Sequence, residues 1–498
     1  MLSNGQVIKL VEDIRTLENP ENGSYPANFF KAGDRFYFTA YKEETGRELW
    51  ISDGTAAGTL LVKDLVPGPG SNYIALHTFI NETLYFTASD DYSGYELWRS
   101  DGTDTDTYRV ADIFPGFQSS GPEDVVVLND KLFFAANDDI DSRHLWISDG
   151  TSNGTKKITL PKFYRKIGPQ YIQAYNGSVF FRAFHSEFRV GVLFQFNLAT
   201  NKLSMIELPL PETNEHSGIE AFRIVDNKLY TTSKLKPTGP LSLWQINLDT
   251  RKTTKISLPT EKDKKLSTID VASFTQLDST LFFTGNNQNQ GAQLWKLKTD
   301  SFQPDLVKSF GTVQSTVTPR SFVVFNEKLF FINIDSKLWC SNGTEEGTMP
   351  IVPLTNTTSP LIAKAPLQFL NDKLVFFGYD TIHGYNLWQS DGTSIESRII
   401  SPIHEETYKF KSTLVSLDSS IYFSGYHYIH GHELWTSDGT SLGTKLVRNI
   451  VSKAGTSEPK NLVFANNKLF FTAEGNALGR QIYKTENASN KASAFLNF

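Results

Sequence analysis

Short apolar or alternating runs of four to eight residues, bounded by Gly, Asn and Asp, fill this chain from end to end on a fixed period. One run in each period ends in Leu-Trp or a close imitation, at Trp50, Trp98, Trp146, Phe194, Trp244, Trp295, Trp339, Trp388, Trp435 and Tyr483, with steps of 48, 48, 48, 50, 51, 44, 49, 47 and 48 residues. Residues 66–113 show one period in full. Tyr73 to Ile80 is a run of strand formers closed by Asn81, Glu82 and Thr83; Leu84 to Ala88 alternates and is closed by Ser89 to Gly94. Glu96 to Ser100 is closed by Asp101, Gly102 and Thr103, and Thr107 to Ile113 completes the unit. Alternation with a period of two, punctuated by such turns, predicts four short antiparallel strands, A to D.

A four-stranded sheet of this kind cannot cover both its faces alone, and a repeat near 48 residues signals an array in which neighbours cover one another. The expected fold is all-β: a β-propeller of four-stranded antiparallel blades over residues 1–498, with a right-handed solenoid of sheets as the competing array. The blades run approximately over residues 15–65, 66–113, 114–160, 161–210, 211–258, 259–311, 312–354, 355–403, 404–450 and 451–498. Leu10 to Ile14 matches Leu61 to Leu65, so residues 6–14 read as an isolated D strand that closes the last blade and removes an exposed edge. Ala494 to Phe498 aligns with Leu446 to Ile450 and competes for that place. One ten-bladed ring closed by N- and C-terminal strands is the first expectation. Two five-bladed propellers, divided at the polar connector near residues 258–266, are the alternative.

The C-to-D turn is the most regular element. Ser-Asp-Gly-Thr or its Asn variant places Asp53, Asp101, Asp149, Asn342, Asp391 and Asp438 at one position, where a short polar side chain folds onto the following amides and Gly takes positive φ. One carboxylate per turn, repeated in this way, is a structural device rather than a catalytic or calcium site. A second Gly-Thr follows at Gly58, Gly154, Gly347 and Gly443. The string Glu48-Leu49-Trp50-Ile51-Ser52-Asp53-Gly54-Thr55 resembles the family of bacterial proteins named for their ELWxxDGT repeats. The similarity runs over nearly the whole chain, strongest in repeats 1 to 3 and 7 to 9; repeats 4 to 6 keep the strand pattern but lose Asp-Gly-Thr. The resemblance implies propeller-like repeats and a secreted or cell-surface bacterial protein, and it carries no agreed activity.

Composition narrows the functional classes. Aromatics make up 13% of the 498 residues, in keeping with strands. The net charge of −6 divides into −12 over residues 1–160, +6 over 161–310 and 0 over 311–498, an asymmetry that can steer a polar partner. No dense Lys/Arg cluster favours nucleic acid. The single cysteine, Cys340, rules out an internal disulfide. No apolar run of 18 residues supplies a spanning helix, and the first residues do not read as a signal peptide, so a cytoplasmic protein or an exported effector stands beside the secreted reading.

In a meander the D-to-A and B-to-C connections share one edge of the blade, and the A-to-B and C-to-D turns share the other. The second set is uniform here, so binding is expected at the first. The candidate ligand-contacting residues are Tyr379 and His383, then Tyr426, His427, Tyr428 and His430 in a B-to-C connection, and Tyr164, Arg165 and Lys166 in a D-to-A connection. His430 and His432 lack the further ligands zinc needs, so no metal and no cofactor is expected. Asn137 to Asp141 and Ser89 to Asp91 lack the spacing of a dedicated calcium loop. No Gly-x-Ser-x-Gly elbow, phosphate loop or paired-His motif points to an enzyme. The leading expectation is a non-catalytic interaction or scaffold module for a protein or peptide partner, with a carbohydrate-binding lectin as the alternative and a propeller-type glycoside hydrolase after it.

Overall fold

The computed structural model describes residues 6–14, 23–140, 142–187, 190–206, 208, 218–234, 241–262, 264–298, 300–311, 318–352, 362–363, 367–380, 383–393, 397–401, 414–417, 419–451, 455–475 and 478–487. The fold is an all-β, ten-bladed β-propeller in which every sheet carries the antiparallel meander A–B–C–D. A single 3-10 turn, Lys162–Tyr164, is the one helical element among the described residues. Blade 1 is representative, with strands Ala27–Ala32, Arg35–Lys42, Gly46–Ser52 and Leu60–Lys63. Blade 2 comprises Ala75–Ile80, Thr83–Asp90, Ser93–Ser100 and Tyr108–Arg109. Its D strand is far shorter than the run 107–113 suggests: Val110 and Ile113 are buried, so beyond Arg109 core packing replaces pairing.

Two compact units divide the chain: Met1–Arg109 with Pro353–Ser359 and Lys364–Phe498, and Val110–Val352 with Pro360–Ala363. Within the first unit, blades 8 and 9 share a core around Phe377 and Phe423, blades 9 and 10 one around Tyr422 and Phe471, blades 10 and 1 one around Phe470 and Phe36, and blades 1 and 2 one around Tyr37 and Phe86. The second unit repeats the scheme from blade 3 to blade 7, through Phe133 with Phe181, Phe180 with Phe222, Tyr230 with Phe283, and Phe282 with Phe331. Within each unit, neighbouring blades approach one another largely through their A strands. The division of the chain near 258–266 is therefore corrected: Tyr230, Leu243 and Ile256 of blade 5 pack into the same core as Leu266, Ile269 and Trp295 of blade 6, so that connector runs within a continuous apolar layer.

Gln6–Glu12 pairs antiparallel with Gly479–Asn487, strand C of blade 10, and supplies its D strand. The competing segment, Ala494 to Phe498, lies outside the described residues. The recurrent Trp is explained by the B–C ladder. Trp50, Trp98, Trp295 and Trp339 each stand directly opposite a Phe of strand B and stack on it, at 6.4, 6.4, 6.5 and 6.3 Å between ring centroids. Phe181–Phe194 and Phe471–Tyr483 occupy the same place at 5.5 and 6.0 Å. Such a pair stabilises by roughly 0.5–1.5 kcal/mol beyond the area it buries.

Each Ser-Asp-Gly-Thr turn closes on itself. Asp53 Oδ1 accepts from the amide and hydroxyl of Thr55, Ser52 Oγ accepts from Gly54 N, and Thr59 Oγ1 donates to Thr55 O. The same bonds recur at Asp101, Asp149, Asn342, Asp391 and Asp438. At Asp149 the Thr151 hydroxyl and amide hold the carboxyl below its ordinary range. Where Asp-Gly-Thr is lost, Asn takes over: Asn197 Oδ1 caps Thr200 and Asn247 Oδ1 caps Thr250.

The second Gly lies against the carboxylate, and a Cβ at Gly58 would sit 2.2 Å from Asp53 Oδ1. Blade 2 carries Asp106 there, and its amide stands 3.3 Å from Thr103 Oγ1 instead of the 2.9 Å seen at Gly58. Gly58→Ala should therefore open the turn and cost about 1–2 kcal/mol, the usual penalty for overpacking a tight site. Chemical denaturation would measure it, and an unchanged midpoint would refute the packing role assigned to this glycine.

Candidate functional site

The D-to-A/B-to-C edge is built on a repeated staple. In blades 1, 2 and 10 the residue that opens the connector into strand A is buried and bonded to two blades at once. Ser24 O accepts from Tyr41 N of blade 1 while Tyr25 N donates to Arg480 O of blade 10. Asn72 N donates to Arg47 O, and the Asn72 side chain pairs with Ser89 on strand B of blade 2. Ser457 N donates to His432 O of blade 9, and Ser457 O accepts from Glu474 N of blade 10. The connectors are thereby rigid mounts rather than free loops, the condition under which a loop surface can be preorganised for binding.

The glutamate of Glu-Leu-Trp anchors the same connectors, a role the sequence reading does not assign. Glu433, fully buried, accepts from Ile450 N at 3.1 Å, Val451 N at 3.2 Å and Ser457 Oγ at 2.6 Å. Burial pushes its carboxyl up to about 7 against these three donors. Gln481 holds the equivalent place in blade 10, accepting from Ser24 Oγ and donating to Asp13 Oδ1, and His144 holds it in blade 3, where Nδ1 accepts from Leu160 N. At Glu48, burial dominates and pushes the carboxyl up to about 8; the amides of Leu65 and Val66 face it without closing a full hydrogen bond, and Asp64 adds to the rise. The recurring buried carboxylates thus serve connector geometry, and the six turn positions lie on the opposite edge of the blades.

The predicted binding residues fall into three groups on their blades. In blade 9, strands Ser420–His427 and Gly431–Ser437 bring His427 against His430 (5.2 Å, stacked), Tyr428 (4.6 Å) and Trp435 (5.9 Å), while Tyr426 packs on His432 at 5.1 Å. Tyr428 and Ile429 project from this cluster, 72% and 50% exposed. In blade 8, Tyr379 packs on Tyr385 at 4.9 Å, and His383 is exposed, its carbonyl accepting from Asn386 Nδ2. In the second unit Tyr164 is turned inward, edge-on to His185 and Phe194, and burial raises its hydroxyl above the ordinary range. Arg165 is held by Leu160 O through Nε, so of that trio Lys166 stands exposed beside Phe163 and Ile167.

Among the described residues no group of three or more His, Cys, Asp or Glu could hold a metal ion. Asp138 is ion-paired with Lys157, and Asp90 Oδ1 is occupied by Tyr92 N, Ser93 N and Ser93 Oγ; Asp141 lies outside the described residues. The structure adds residues that the sequence reading passed over: Tyr25, Tyr73, Tyr92, Tyr95 and Phe117 are all exposed on connector or hairpin ends. A further signal is backbone strain. Strand A carries a bulge whose residue has φ near +55°, at Asn28, Asp124, Tyr171, Ser321 and Asn461. For Asn and Asp this is tolerable, but Tyr171 is held there with its half-exposed ring under the Arg182 guanidinium at 5.2 Å.

No protein-family model matches the chain, and no curated protein matches it. Among solved structures it is similar to the computationally designed Ika8 protein, at 12% identity and a TM-score of 0.35, over 74% of this chain and 96% of that one. A structure from a study of two prolyl endopeptidases matches at 10% identity and a TM-score of 0.37, covering 71% of this chain and 54% of the other. The β-propeller domain of the Trilobed protease from Pyrococcus furiosus matches at 13% identity and a TM-score of 0.30, over 66% and 97%.

Proposed function

We propose that this protein is a non-catalytic recognition module that binds a protein or peptide partner through the D-to-A/B-to-C edges of its blades. The observation that carries this reading is the distribution of exposed large apolar side chains. In the first unit Tyr25, Tyr73, Tyr92, Tyr95, Tyr428 and Ile429 stand on those edges, and in the second Phe117, Ile140, Phe163, Ile167 and Tyr171 do. On or beside the A-to-B/C-to-D turns, Leu60, Tyr108, Phe302, Val324, Met349 and Leu442 are the counterparts among the described residues, fewer and with a single tyrosine among them. Apolar surface on stapled connectors is the signature of an interaction surface, with tyrosine the residue type most suited to it.

A photo-crosslinking amino acid placed at Tyr428 or Phe163 should yield adducts with peptides selected from a random displayed library, and the same group at Leu442 or Phe302 should not. Equal labelling from both edges would refute the assignment of the face. Membership of the ELWxxDGT repeat family, and with it export from a bacterium, belongs to the same proposal; the six superimposable Asp and Asn turns support it.

A further inference from the structure

Three blades share an arginine contact that blade 2 replaces with an aromatic side chain. In blades 1, 3 and 10 an arginine two positions before the Leu-Trp pair or its equivalent reaches the main chain just ahead of strand A. Arg47 Nη1 donates to Tyr25 O at 3.0 Å, Arg143 Nη2 to Gly121 O at 3.2 Å and Arg480 Nη1 to Glu458 O at 2.9 Å. Two of these guanidiniums also bond the strand B threonine, Arg47 to Thr39 Oγ1 and Arg480 to Thr472 Oγ1. Blade 2 carries Tyr95 in place of the arginine. The Thr87 hydroxyl is taken instead by His77 Nε2 at 2.7 Å, so the structural duty is discharged from strand A. What remains is an aromatic pair, Tyr73 and Tyr95, with ring centroids 5.8 Å apart and planes at 83°. Tyr92 projects three residues earlier on the same hairpin, and Tyr73 and Tyr92 are 66% and 79% exposed.

We infer that Tyr73, Tyr92 and Tyr95 form a docking site for an extended, proline-bearing segment with basic flanks in the partner protein. This rests on the recognition function proposed above and names its occupant. Two rings set nearly at right angles make walls against which a proline ring packs, and a polyproline II segment brings few amide donors to satisfy and little entropy to lose. Sugar recognition would require planar polar side chains beside the rings to pair with adjacent hydroxyls. Here Asn72 is spent on Ser89 through both its amide atoms, and Asp90 Oδ1 already accepts three turn donors. Charge points to basic flanks: Asp90 and Asp91 lie on the hairpin that carries Tyr92, with Asp91 exposed beside it, and no Lys or Arg occurs from Pro67 to Trp98.

The test is titration calorimetry of the full chain with an eleven-residue peptide carrying five consecutive prolines between arginine pairs, its glutamate-flanked counterpart, and a panel of neutral oligosaccharides. The arginine-flanked peptide should bind saturably, and the glutamate-flanked one more weakly. Tyr73→Ala and Tyr92→Ala should each weaken binding about tenfold, as loss of an aromatic anchor does. Tyr95→Arg is the decisive variant: it installs the residue that blades 1, 3 and 10 carry, so the melting temperature should hold while binding falls at least about tenfold. No saturable binding of either peptide at millimolar concentration, full affinity in Tyr95→Arg, or saturable oligosaccharide binding lost in Tyr92→Ala would each overturn the site. Should library-selected peptides instead crosslink at Tyr428 or Phe163 with Tyr95→Arg unaffected, this site falls and the wider recognition reading stands.

Discussion

A chain beginning at Gly23, and so lacking the strand Gln6–Glu12, should melt roughly 10–20 °C below the intact protein in scanning calorimetry. The missing segment buries Ile8, Val11 and Ile14, each 4% exposed, and a buried aliphatic side chain lost to a cavity costs about 2–5 kcal/mol. It also removes the ladder from Gln6–Asn487 to Glu12–Ile482, the bond from Arg448 Nη1 to Ile8 O, and that from Gln481 Nε2 to Asp13 Oδ1. Strand Gly479–Asn487 would then present an unpaired edge, a template for aggregation. A synthetic peptide of residues 1–14, added in excess, should restore most of the lost temperature by refilling that edge. An unaltered transition in the truncated chain would show that the strand contributes nothing to closure.

Glu48→Gln should raise stability at pH 8 by about 3 kcal/mol and leave it nearly unchanged at pH 4.5. Burial holds the Glu48 carboxyl up to about 8 against an ordinary value of 4.5, so the folded protein binds a proton that the unfolded chain releases. Its contribution to stability is therefore fully present below pH 4.5 and is lost as pH rises toward 8. Glutamine keeps the shape and never ionises. Glu433 follows the same sign over a narrower window, up to about 7, and its three donors make the neutral substitute less favourable there. Denaturation midpoints across pH 4.5–8 provide the readout; parallel curves for Glu48→Gln and the parent would remove the buried proton from the account.

The array was legible because its signal is redundant. Ten Leu-Trp-like pairs mark ten C strands, and each recurring aromatic had to be buried against a neighbouring sheet whatever its details. The Asp turns were legible for a similar reason, since Asp, Gly and Thr at fixed offsets admit few conformations. The role of Glu48 and Glu433 was hidden because a glutamate beside Leu-Trp reads as the solvent-facing partner of an alternating strand. Strand C is covered on both faces, so its polar side chain must find amides, and those come from a connector about 17 residues farther along the chain. Tyr73 and Tyr95 were passed over because neither stands out until Arg47, Arg143 and Arg480 are seen to reach the same place in three other blades. The cluster at Tyr426 to His430 was found by its composition, although much of it packs on itself.

Closure by the first strand has a consequence for biosynthesis. Asp13 and Gln481, joined by a hydrogen bond, are separated by 468 positions. At cellular synthesis rates the segment bearing Asp13 leaves the ribosome on the order of half a minute to a minute and a half before its mate exists. Through that interval Ile8 and Val11 have no sheet to join. A chaperone holding the segment around Ile8 and Val11, or a slow final annealing after synthesis, would bridge that interval.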